Sequence, residues 1–248
     1  MRRHVVPAAL VRLAASLAAT IALAVPAFAG DRAMIDFLGY SDDGHYFAFE
    51  EFGTQDGSGF PYSNIYVLDL AQDKWASGSP VRVQLEDEMA TEGIARAEAA
   101  KQAAPILSEL GISEQVDLIA INADGELGDG SYITFGQPGY FPNNVQGAYT
   151  LTLSSFSAES PADCEGLIGE KAKGIILTLS GGADGEHEIY RDKTVLPESR
   201  GCPSVYRIYA IVAPPFSTPP AWHVAIIATY PFGFEGPDRR FIAFPLSK

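Results

Sequence analysis

The chain has 248 residues, of which 31 are acidic and 17 are basic, and its formal net charge is −14. An acidic surface repels nucleic acid and anionic lipid, so the composition argues against partners of either kind. After the N-terminal segment, no apolar run reaches the roughly 18 residues that a transmembrane helix requires. The best candidate, residues 221–230, is far too short, and we therefore expect no membrane span.

The N-terminal segment has the three parts of a cleaved secretory signal peptide. It begins with basic residues, continues in an apolar run too short to span a membrane comfortably, and ends in a small-x-small processing site. These parts are Arg2, Arg3 and Arg12, the run 13–25, and the sequence Ala27, Phe28, Ala29. We predict that residues 1–29 are removed and that the mature protein is periplasmic or secreted. The alternatives are an uncleaved anchor or an amphipathic surface helix, and the processing site argues against both.

The predicted mature chain begins at Gly30, where a lipid-anchored protein would need a cysteine. Removal of three arginines leaves 14 basic residues against 31 acidic ones, a net charge of −17. Removal of 29 residues from 248 leaves 219, a length that fits one β-rich domain covering residues 30–248.

The first part of this domain has the pattern of an antiparallel meander. Segments 34–40, 45–52 and 65–70 are rich in aromatic and β-branched residues, and Asp43-Gly44 is a strong hairpin turn. Residues 46–49 are apolar on both faces, which predicts a strand covered on both sides. The two glutamates that follow, Glu50 and Glu51, are expected to emerge toward solvent or a partner.

One helix is predicted, over about residues 90–110, with Thr91 as a possible N-cap and Gly111 as the stop signal. Pro105 should kink or divide it. The apolar side is mostly alanine, so the helix can lie against a sheet but cannot form a core of its own. The larger apolar residues of that side are Ile94, Ile106, Leu107 and Leu110.

Strand signals resume after residue 115 and are separated by turns rich in glycine, aspartate and proline. The predicted strands are 116–122, 132–135, 148–156, 174–179, 187–191, 205–212, 222–230 and 239–244. About a dozen short strands predict a mainly β fold of antiparallel sheets, either a sandwich or a small propeller-like array. The helix would then be an insertion into that fold.

The two cysteines, Cys164 and Cys202, both lie in the exported part. An even number of cysteines in an oxidising compartment indicates one disulfide bond. The alternatives are a catalytic thiol, which requires a free cysteine, and a metal pair, which requires more than two ligands.

Two loops of similar sequence place aromatic residues on a glycine and proline frame. The first contains Phe60 and Tyr62, and the second contains Tyr140 and Phe141. If the loops are neighbours, their rings form a platform for a sugar or a peptide. In the alternative interpretation they are packed ends that close the β core.

Three carboxylates, Glu50, Glu51 and Asp56, are close in sequence and could serve a glycosidase or bind a cation. Adjacent strand residues point to opposite faces, so Glu50 and Glu51 cannot converge without a bulge. The favoured hypothesis pairs them with Arg239 or Arg240, which would join the first and last strands. No histidine has metal-ligand spacing, and the sequence predicts neither a metal nor a cofactor.

Several stretches resemble a bacterial family of predicted secreted proteins of unknown function. They are residues 37–53, 56–66 and 233–241, and the similarity covers the predicted mature chain. The resemblance implies export and a single domain, and it brings no activity, cofactor or catalytic residue. Two functions remain open: a non-catalytic envelope protein that binds an unknown protein or small molecule, or a secreted hydrolase acting on envelope or extracellular polymers.

Overall fold

The computed structural model describes residues 30–125, 128–141, 144–182 and 185–247. The predicted signal peptide, residues 1–29, lies outside the described residues. Within them the fold is mainly β, as predicted, with three antiparallel sheets. None of the described helices is both long and apolar enough to cross a membrane.

The first sheet contains the predicted meander. Its strands are β1 (Met34–Ser41), β2 (Tyr46–Thr54), β3 (Pro61–Asp69), β4 (Lys74–Trp75), β5 (Val81–Gln84) and β6 (Ile112–Glu114). Their order is β4-β3-β2-β1-β6, and β5 also pairs with β3. Between β1 and β2 the turn places Gly44 at φ +72°, and the Asp43 carboxylate accepts the His45 N–H at 3.0 Å.

Helix α1 (Glu92–Glu109) is inserted between β5 and β6, which confirms the predicted helix. It begins after Thr91 and runs without division through Pro105. Its contact face is made of small residues four apart, which let the helix lie close to β3 and β5 beside Ile65 and Val83. These residues are Ala95, Ala99 and Ala103, all fully buried. Ile94, which was expected on the apolar side, is 55% exposed.

The other two sheets are formed by the rest of the chain. The strands are β7 (Asp117–Ile121), β8 (Tyr132–Pro138), β9 (Val145–Ser157), β10 (Lys173–Gly181), β11 (His187–Arg191), β12 (Pro203–Ala213), β13 (Val224–Pro231) and β14 (Arg240–Pro245). The second sheet has the order β11-β10-β9-β8, and the third has the order β14-β13-β12-β7.

The third sheet lies between the other two. On β13, Val224, Ile226 and Ala228 pack toward the first sheet, while Ala225 and Ile227 pack toward the second. Both faces of this strand are therefore buried, which explains its nearly continuous apolar sequence. The result is a layered sandwich of three sheets, with α1 on the outer side of the first.

A disulfide bond between Cys164 and Cys202 confirms the prediction from the cysteine count. It joins the short helix α2 (Cys164–Ile168) to the residue that precedes β12. The loop before Cys202 contains a single 3₁₀ turn, Glu198–Arg200, so the disulfide fixes the position of this turn relative to the second and third sheets.

Candidate functional site

The three carboxylates that the sequence places close together are separated by the fold. Glu50 faces α1, where it pairs with Arg96, and Glu51 faces the third sheet, where it accepts the Phe241 N–H at 2.7 Å. Asp56 accepts the Glu235 N–H at 2.7 Å. Glu50 is 4% exposed and Glu51 is 1% exposed, so the expectation that they emerge toward solvent was wrong.

The arginines at the start of β14 also have partners other than those predicted. Arg239 pairs with Asp124, and Arg240 pairs with Asp31 at 2.6 Å and with Asp238 at 3.4 Å. The Asp31 carbonyl accepts the Arg239 N–H at 2.7 Å, and this bond fastens the start of the described chain to β14. Asp31 is therefore the residue that joins the start of the described chain to β14. The predicted pairing of Arg239 or Arg240 with Glu50 or Glu51 was wrong.

The two aromatic loops lie in different layers. Tyr62 is 4% exposed on β3 and donates to Asp31 at 2.9 Å, while Phe60 is half-buried. Tyr140 and Phe141 are exposed in the β8–β9 loop and contact each other edge to face at 5.2 Å. The first and second sheets lie on opposite sides of the third, so the structure does not bring these described rings into one platform.

The structure shows a different concave feature, an inter-sheet groove between the rim of the first sheet, the third sheet and the 3₁₀ turn. It has a volume of about 750 Å³ and continues into a smaller cavity of about 270 Å³. Asn64, Arg82 and Arg240 line both cavities, so the two form one elongated site. The volume of the larger cavity is in the range of sites for small molecules.

The first-sheet wall of the groove consists of two cross-strand rows. Glu51, Asn64 and Arg82 stand opposite one another on β2, β3 and β5 and form a polar row. Tyr66 lies two residues after Asn64 on β3, and its side chain therefore points to the same face. There it belongs to an aromatic row. Its ring lies 4.9 Å from that of Phe49 and 5.1 Å from that of Trp75.

The opposite wall comes from the third sheet and from the turn fixed by the disulfide. Thr229 and Phe241 line it from β13 and β14, and residues 197–201 close one end. Within that turn, Arg200 is buried and pairs with Asp192 at 3.2 Å, and it donates to the Tyr206 hydroxyl at 3.2 Å. The charge of Arg200 is therefore already compensated.

The ionisable groups that line the groove differ in burial and in their charged partners. Burial raises the pKa of Glu51, although the Phe241 N–H and Arg240 partly oppose the shift. Burial also raises the pKa of the Tyr66 hydroxyl, which lies beside the Arg82 side chain. Arg82 itself is exposed and forms no ion pair with any carboxylate of the described residues. Of the three arginines that line the groove, Arg82 is the one without an ion pair to a described carboxylate.

A metal centre is not evident in the part of the chain that the structure describes. There, no group of three or more His, Cys, Asp or Glu residues is placed to hold a metal ion. The carboxylate of Asp124, in the turn that follows β7, pairs with Arg239.

These features define a disulfide-bonded, mainly β protein with an open groove between two of its sheets. A family model described as predicted secreted protein (DUF2259) matches residues 48–247, and the chain belongs to this family. The match confirms the resemblance noted from the sequence. None of the curated proteins compared with the chain is significantly similar to it.

Proposed function

We propose that the protein is an exported, non-catalytic binding protein that holds an anionic ligand in the inter-sheet groove. In this proposal residues 1–29 are removed after Ala29, and residues 30–248 form one domain in the periplasm or outside the cell. The family description supports export. The groove supports the binding function.

The observation that carries the proposal is the position of Arg82. In a chain with 31 acidic and 17 basic residues, an exposed guanidinium without a carboxylate partner among the described residues is a local positive centre. It lines the same concave site as Trp75, which is 39% exposed. A planar guanidinium binds carboxylates through two parallel hydrogen bonds, and an exposed indole offers an apolar face elsewhere in the same groove.

The contacts of the acidic residues favour binding over hydrolysis. A glycosidase requires two carboxyl groups that converge on the bond to be cleaved. Glu50 is held by Arg96 on the opposite face of the sheet, and Asp56 lies against the backbone of Glu235. Of the three candidates, Glu51 alone lines the groove, where its carboxylate accepts a backbone N–H.

A ligand-capture experiment tests this function. The mature protein is incubated with a small-molecule extract of the producing cells, separated from unbound material, and analysed by mass spectrometry for retained anions. We expect Arg82→Gln to reduce the retained ligand by about tenfold or more, because a hydrogen bond between two charged groups is lost.

Arg191→Gln is the matched control, since it removes an exposed arginine of β11 that does not line the groove. It should retain the ligand at the wild-type level. Circular dichroism verifies that both variants are folded. Equal retention by wild type and Arg82→Gln, or no retained anion in any sample, would contradict the proposal.

A further inference from the structure

We infer that the anionic ligand is a linear acidic oligosaccharide, an inference that rests on the proposed binding function of the same groove. Three properties of the groove lead to it: its length, the aromatic row on one part of its wall, and the amide-rich polar lining on the rest. Each is matched by a property of a chain of uronic acid units.

The groove is elongated along β3. Tyr62 lines one end, and Trp75, which pairs with Leu68, lines the other. Six residues of extended strand separate Tyr62 from Leu68, a distance of about 20 Å. A single sugar ring or a free carboxylic acid would occupy only a part of this length, whereas an oligomer occupies all of it.

The aromatic row is positioned before a ligand arrives. Trp75 packs against Tyr66 at 5.1 Å and against Phe49 at 6.3 Å, and Phe49 is fully buried. The exposed part of the indole ring is therefore held on a rigid support. An aromatic face of this kind stacks on the C–H-bearing face of a sugar ring, and an indole N–H can donate a hydrogen bond to a hydroxyl.

The other end of the groove offers amide groups. Gln55 and Gln84 donate to each other at 3.2 and 3.1 Å, and Asn64 lies between them and the aromatic row. An amide both donates and accepts hydrogen bonds, as a sugar hydroxyl does. Such a lining suits a ligand with many hydroxyl groups better than one with an apolar body.

The charges of the groove match a ligand with isolated carboxylates. Arg240 and Arg200 already have carboxylate partners, and Glu198, an exposed carboxylate that also lines the groove, forms no ion pair with Arg82. Arg82 is therefore available to meet a negative group. A polyphosphate chain needs many cations, because each phosphate carries a charge. One guanidinium between an aromatic row and an amide-lined end instead fits one uronate unit within a sugar chain.

Isothermal titration calorimetry with defined oligosaccharides tests the inference. The probes are tetragalacturonate and tetramannuronate as acidic chains, maltotetraose as a neutral chain of equal length, and galacturonate as the monomer. We expect one of the acidic chains to bind about tenfold or more tightly than maltotetraose, since Arg82 adds a charge-assisted contact. The monomer should bind more weakly than the same tetramer, because it spans only part of the groove.

Two variants separate the contributions of charge and stacking. Arg82→Gln should bring the acidic and neutral chains to similar affinities, and Trp75→Ala should weaken both kinds of chain. Arg191→Gln should leave every affinity unchanged. Circular dichroism of each variant identifies any loss of fold.

The outcomes distinguish this inference from the proposed function. If neither acidic tetramer gives heat above dilution while the capture experiment retains another anion, the binding function stands and the oligosaccharide is wrong. If neither experiment finds a ligand, both are wrong. Binding of an acidic tetramer that does not depend on Arg82 or Trp75 would also overturn the inference, because the ligand would then lie outside the groove.

Discussion

The guanidinium of Arg96 on α1 lies against the carboxylate of Glu50 on β2. Its Nε donates to both carboxylate oxygens at 3.1 Å, and its Nη2 donates to Oε2 at 2.7 Å. The same arginine pairs with Asp36 and lies 3.8 Å from the centre of the Phe52 ring. These contacts fasten the helix to the outer face of the first sheet, and they explain why Glu50 takes no part in the groove.

Arg96→Met should reduce the free energy of unfolding by about 2–3 kcal/mol, because it leaves the buried Glu50 carboxylate without its counter-charge. The loss is below that of a fully enclosed pair, since the Arg96 side chain is 35% exposed and solvent screens part of the interaction. Equilibrium unfolding in urea measures it.

The control is Arg191→Met, which breaks an exposed pair with Glu188 and should change the stability little. The double variant Glu50→Gln/Arg96→Met should recover part of the loss, because the uncompensated charge is then absent. Equal effects of Arg96→Met and Arg191→Met would show that the contact with Glu50 does not stabilise the fold.

The same pair shows what the sequence can predict and what it cannot. The strand pleat correctly indicates that Glu50 and Glu51 point to opposite faces, and residue pattern alone predicts the mainly β fold, the inserted helix and the disulfide. The partners of the two glutamates depend on which layer covers each face. That α1 covers one face and β14 the other is decided by packing between elements distant in sequence.

The groove was missed for a similar reason. Glu51, Asn64 and Arg82 are opposite one another only through the registers of β2 with β3 and of β3 with β5. Trp75 lies on the two-residue strand β4, which carries almost no pattern of its own. Asn64 and Tyr66 are two residues apart, as are Arg82 and Gln84, so the sequence does indicate that each pair shares a face of its strand. It indicates one common wall only when the registers between the strands are known.

Ala99→Leu should destabilise the protein by about 1–3 kcal/mol, because Ala99 is fully buried where α1 meets β3 and a larger side chain would force the helix away. Ala100→Leu is the matched control, since Ala100 is exposed on the same helix. Thermal unfolding of the two variants gives the comparison. If both melt at the same temperature, the small contact face of α1 does not determine how closely the helix packs.

Replacement of both Cys164 and Cys202 by serine should reduce the free energy of unfolding by about 4 kcal/mol, the value expected for a closed loop of this length. The cysteines are 38 residues apart in sequence. A reducing agent should lower the melting temperature of the wild type and leave that of the double variant unchanged. A double variant as stable as the oxidised wild type would contradict the prediction.

Glu51 should make the protein less stable as pH rises. Burial raises its pKa in the folded state above the unfolded value of about 4.3. Below the pKa of the unfolded state, Glu51 is protonated in both the folded and the unfolded chain, and its titration does not reduce the free energy of unfolding. Between the two pKa values the unfolded chain releases a proton that the folded chain retains, so stability falls as pH increases through this window and levels off above the folded pKa.

Glu51→Gln removes this titration, and its side-chain oxygen can still accept the Phe241 N–H. The stability of Glu51→Gln minus that of the wild type should therefore be small near pH 4 and increase toward pH 7, as measured by urea unfolding at several pH values over roughly this range. Glu98→Gln is a control for which the stability difference should change with pH in the opposite direction. Hydrogen bonding to Gln102 and the charge of Lys101 lower the pKa of Glu98, so the stabilisation by Glu98 is lost as pH falls. A difference for Glu51→Gln that stays constant across the range would show that the Glu51 carboxyl in the groove has an ordinary pKa.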